Sequence, residues 1–96
     1  MLRDEVSLHY EAEWKRLLDL ADQRNTLLKQ LRAMADAAGE FHPEDGLLVE
    51  FNLDRAHSIL AQLQELRPKI FSIIEALNRY AAQIGKPRIE RRRLDV

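Results

Sequence analysis

Cysteine is absent from this chain, and glycine, proline and aromatic residues are scarce, with three Gly, three Pro and six aromatics in 96 residues. Without cysteine there is no disulfide framework and no thiolate for zinc or redox chemistry. With so few glycines there is no glycine-rich loop to cradle a phosphate. No uncharged run approaches the length of a membrane span. The segment Met1-Leu2-Arg3-Asp4-Glu5 carries acids where a secretory signal carries bases and then an apolar stretch, so the expected location is cytoplasmic. What is present is 46% hydrophobic and 32% charged, too apolar for disorder throughout and of a length for one domain.

Two helical patterns account for most of the chain. Over residues 4–38, Val6, Tyr10, Leu17, Leu20, Leu27, Leu31, Met34 and Ala38 recur at steps of three, four and seven, and Trp14, Ala21, Leu28 and Ala35 form an adjacent stripe. Asp4 and Glu5 suit the first turn, and Gly39 follows the last apolar position as a C-terminal cap. Over residues 53–84, Ala56, Leu63, Ile70, Leu77 and Ile84 repeat every seven residues, and Ile59, Leu66, Ile73 and Tyr80 do so three positions on. Asn52 is the N-cap, and Gly85 with Pro87 stops the helix.

Pro68 falls inside the second pattern, where proline costs about 3 kcal/mol. The heptad register nevertheless passes through it without a slip, and at the outermost position a proline bends a helix around its core. The expectation is one continuous helix, kinked at Pro68. Residues 39–52 connect the two helices through a turn at Pro43 and Gly46. Phe41, Leu48 and Phe51 are expected to close the end of the core, with a short strand at 47–51 as the alternative.

Helices of nearly equal length joined by one turn imply an all-α antiparallel two-helix hairpin. Its register brings residue i near residue 91 − i, to about one turn. Both helices carry apolar stripes wider than the seam that a pair can bury, and small single-core chains are marginal unless they associate. The hairpin is therefore expected to complete a helical bundle with a second chain, a copy of itself or another protein. The partner-facing residues in this reading are Trp14, Leu18, Arg24, Leu28, Leu60, Arg67, Phe71, Ile74 and Tyr80. Arg24 and Arg67 share one level of the seam and reach solvent with their heads, or meet acids from the partner.

Catalytic constellations are not supported. His9, His42 and His57 share no helix turn, and His57 and Ser58 are adjacent, so they do not face one another. The paired-carboxylate sets of a hydrolytic metal site are missing, with Asp19 and Asp22 isolated. No enzyme activity, cofactor, metal or small-molecule substrate is expected.

Charge is unevenly placed: residues 1–84 hold ten bases and fourteen acids, and residues 85–96 hold five bases and two acids. The basic tail (Lys86, Arg88, Arg91, Arg92, Arg93) is expected to fold onto Asp4, Glu5, Glu11 and Glu13 at the hairpin's open end, or onto a partner. The leading function is a small adaptor, chaperone or inhibitor that offers an apolar helical face to a protein. The alternative is a dimeric nucleic-acid-associated protein whose arginine tail neutralises phosphates.

Overall fold

The computed structural model describes residues 3–92, which form two long antiparallel helices. α1 spans Arg3–Ala38 and α2 spans Leu53–Ile84. Between them lies a single 3-10 turn, Pro43–Asp45. Residues 47–52 are irregular, and no strand occurs among the described residues.

The helix ends follow from their capping chemistry. Gly39 sits at φ +61° and returns its N–H to the Ala35 carbonyl at 3.0 Å, closing α1. Asn52 accepts the Arg55 N–H at 3.0 Å and opens α2, satisfying one of the donors that a helix start leaves unpaired. Gly85, at φ +72°, ends α2, and the N–H of Lys86 reaches back to the Ala81 carbonyl at 3.0 Å. Arg3 adds a cation at that negative pole: its Nη2 donates to the Ile84 carbonyl at 3.2 Å. The first residue of α1 thus ties down the last turn of α2.

α2 runs through Pro68 unbroken, as the uninterrupted heptads predict. Pro68 is exposed, so the ring displaces no packing. The register also agrees with expectation at the open end, where Arg3 meets Ile84 and His9 meets Tyr80. Nearer the loop, Arg55 meets Gln30, about one and a half turns from the predicted level, a gap spanned by two long side chains.

The molecule measures 68 × 23 × 15 Å with a radius of gyration of 19.4 Å, against about 13 Å for a compact chain of this length. It exposes 8049 Å², whereas a compact protein of this mass exposes about 5,700 Å².

Packing is concentrated at the open end. Val6, Leu17, Ile73, Leu77, Ala81 and Ile84 are buried there, while the loop half buries Ala56, Ile59 and Leu66, all on α2. No residue of α1 beyond Leu17 is buried; Leu20, Leu27, Leu31 and Met34 stay half-covered. The loop does not close the core as its apolar residues suggested. Phe41 and Leu48 are 57% and 56% exposed, and Phe51 is only half-buried. Two helices ending side by side leave no third surface for these residues to lie against.

Candidate interaction surface

The hairpin has two unlike flanks. On one, Arg16, Gln23 and Gln30 of α1 face Arg55, Gln62 and Lys69 of α2 across shallow grooves. Arg55 donates to Gln30 Oε1 at 3.3 Å, and Arg16 pairs with Glu13 at 3.0 Å. This flank carries charged and amide side chains on both helices, with Leu20, Leu27, Ile73 and Ala76 also lining its grooves. The opposite flank is apolar: seven-residue spacing aligns Trp14, Ala21 and Leu28 on α1, and Leu53, Leu60, Arg67 and Ile74 on α2.

The open-end half of the apolar flank is covered by the chain's own tail. Asn78 holds Ile89 by both of its backbone groups: Oδ1 accepts the Ile89 N–H at 2.8 Å, and Nδ2 donates to the Ile89 carbonyl at 3.1 Å. The Ile89 side chain then packs against the cluster of Leu17, Ile73 and Leu77, beside Ile74. Two residues on, the Arg91 guanidinium lies 4.2 Å from the Phe71 ring centroid, with Arg67 at 5.0 Å from the same ring, a cation–π arrangement that also shields the ring. Through Arg92, its last described residue, the tail therefore folds onto α2 and not onto the acids at the start of α1. An apolar anchor with two matched hydrogen bonds outcompetes exposed ion pairs, which water and salt screen. Lys86, Arg88 and Arg92 remain exposed, Arg92 at 3.7 Å from Glu90; Arg93 lies outside the described residues.

These contacts divide the nine partner-facing residues expected from the sequence. Trp14 meets Tyr10 edge-on at 6.2 Å, and Tyr80 stacks on His9 at 5.8 Å, so both contribute to the packed open end. Phe71 and Ile74 lie beside the tail. Leu18, Leu28 and Leu60 are uncovered, at 57%, 37% and 48% exposure. Arg24 and Arg67 are exposed, and neither takes part in an ion pair among the described residues. Sequence reasoning missed Leu53, 64% exposed, and the tip residues Leu47, Leu48 and Val49, which extend the apolar surface past the end of the helices.

Compared with protein-family models, curated proteins and solved structures, the chain matches none. Among the described residues no polar or charged side chain is buried, no three His, Asp or Glu side chains gather as metal ligands, and no helix is long and apolar enough to cross a membrane. The distinctive chemistry is an extended hairpin with many exposed apolar residues.

Proposed function

We propose that the protein is a non-enzymatic interaction module, an adaptor, chaperone or inhibitor, that docks the apolar flank of its loop half onto a helical surface and so completes a bundle. The observation that carries this reading is the one-sided incompleteness of the loop half. α1 buries nothing after Leu17, while Leu18, Leu28, Leu53 and Leu60 lie uncovered on the flank opposite the polar grooves. Apolar side chains aligned at seven-residue spacing on both helices present ridges and grooves of the kind another helix fills. A non-catalytic role is supported by the setting of the ionisable groups. Every charged side chain among the described residues except Glu13 is classed as exposed, without the burial that tunes acids and bases for chemistry.

The test compares substitutions on the two flanks. Leu28→Asp and Leu60→Asp should abolish association, whereas Gln23→Asp and Gln62→Asp, on the polar flank, should leave it intact. Helicity by circular dichroism should be the same for all four. Association unchanged by the leucine substitutions would refute the assignment of this flank.

A further inference from the structure

We infer that the occupant of the exposed flank is an acidic amphipathic helix of another protein, its apolar stripe over Leu28 and Leu60 and its carboxylates over Arg24 and Arg67. This inference rests on the interaction reading above and names the chemistry of the partner.

Helical spacing identifies the charges that belong to the flank, because residues three, four or seven apart share a helix face. At those spacings from Leu28 and Leu60, the fixed charges are Arg24, Arg32 and Arg67, and none is an acid. All three are exposed, and none takes part in an ion pair among the described residues. Arg32 has Asp36 one turn on, but Arg24 and Arg67 have no acid at any of these spacings. Arg24 is surrounded at them by Leu17, Leu20, Ala21, Leu27, Leu28 and Leu31. Arg67 lies over the Phe71 ring at 5.0 Å, and the group that shares the ring is a second cation, Arg91, at 4.2 Å. The acids of this region stand elsewhere. Asp22 lines a groove of the opposite flank, and Glu65 is one turn from Gln62 and Lys69 on that side. Asp36 and Asp54 sit at the tip ends of the helices. In a chain of net charge −1, the apolar flank is locally cationic.

That charge selects the occupant. A purely apolar surface laid on the flank would strip water from two guanidinium groups and give nothing back. A second copy docked flank to flank would set the same patch against itself, bringing arginines to arginines. Nucleic-acid phosphates would answer the arginines but leave Leu28, Leu53 and Leu60 without apolar cover. A helix with apolar and acidic residues on one face meets both demands, in a groove between two helices of the kind such helices fill. Arg24 is four residues from Leu28 and Arg67 seven from Leu60, both toward the open end, or about 6 and 10 Å along the axes. The partner's carboxylates therefore lie one to two turns from its apolar anchors, on one side of them.

The test uses the full chain and three fluorescently labelled helical peptides, read by anisotropy. One has leucine at its a and d positions with glutamate beside them; the second replaces those glutamates with lysine; the third keeps the glutamates and replaces the leucines with serine. The leucine–glutamate peptide should bind about tenfold more tightly than either of the others. Arg24→Glu combined with Arg67→Glu should reverse the order of the first two peptides, with helicity by circular dichroism unchanged. Equal binding of the glutamate and lysine peptides, an order that does not reverse, or no binding of the first peptide at about 100 μM would overturn the acidic partner. So would a duplex oligonucleotide that binds more tightly than the first peptide, or a dimer of the chain, seen by sedimentation equilibrium, that Leu28→Asp dissociates. The interaction reading itself would fall separately, through indifference of association to Leu28→Asp and Leu60→Asp.

Discussion

Asn78→Ala isolates the element that binds the tail to the body. The substitution removes both hydrogen bonds to Ile89, at 2.8 and 3.1 Å, each contributing a net 0.5–1.5 kcal/mol, so about 1–3 kcal/mol together. The loss is capped, however, because the tail can detach. Detachment gives up the partial burial of Ile89, roughly 1 kcal/mol of a full side chain's 1.5–3. It also gives up the Arg91–Phe71 contact, about 0.5–1 kcal/mol when exposed. The net cost of Asn78→Ala should therefore be about 1–2 kcal/mol, a fall in Tm of roughly 4–15 °C for a domain of this size. Thermal denaturation followed at 222 nm, at fixed protein concentration, measures it. The decisive comparison is with Ile89→Ala and the double variant. Once the clamp is gone Ile89 no longer packs, so the two losses should be markedly less than additive. Full additivity, or an Asn78→Ala chain whose Ile89 amide still resists hydrogen exchange, would refute the clamp.

Other substitutions probe the rest of the architecture. Leu77→Ala, at a position with no exposed surface, should cost about 2–5 kcal/mol, whereas Leu60→Ala should cost the single chain under about 1 kcal/mol while weakening association; chemical denaturation and sedimentation equilibrium separate the two. Asn52→Ala removes the cap on α2 and should cost about 1 kcal/mol, read as a lowered denaturant midpoint with an unchanged slope. Pro68→Ala restores a backbone donor at an exposed site and should leave Tm unchanged or raised; if the helix bends at the proline, association should fall about tenfold, or roughly 1.4 kcal/mol. A fall in Tm would show that α2 depends on proline at this position.

The helices were legible because both their interiors and their ends are written in local chemistry. The expected spans 4–38 and 53–84 differ from the observed ones by one residue at Arg3, a residue whose place is set by its hydrogen bond to Ile84. Pro68 was reconciled with a continuous helix by the heptads on either side, a long-range regularity that outweighs one local penalty. The loop was misread for the opposite reason. Phe41 and Leu48 are apolar, and apolarity alone suggests burial, but burial needs a facing surface and a two-helix end offers none. Composition identifies what would gain from being covered; it does not supply the cover.

The tail shows why the exposed apolar surface was only half legible. Its basic character suggested a purely electrostatic destination, yet its path depends on one asparagine facing one backbone unit eleven residues away, a pairing with no periodic signature. That single clamp changes the roles of two expected contact residues, Phe71 and Ile74, which lie alongside the tail, while Trp14 and Tyr80 pack against Tyr10 and His9. What stays uncovered is the loop half, where α1 buries nothing. The asymmetry has a physical consequence. The open end holds together by its own contacts, through Arg3, Asn78 and the Leu17–Ile73–Leu77 cluster, so the hairpin can keep its register before association. The loop half can then dock as a surface already positioned, and affinity need not be spent on ordering the tail or the seam. If that is correct, removing the tail at residue 86 should weaken association even though the tail lies outside the proposed interface, because the register it stabilises would have to be re-established on binding. A truncated chain that associates as tightly as the intact one, measured by sedimentation equilibrium at the same temperature, would separate the two halves and refute the coupling.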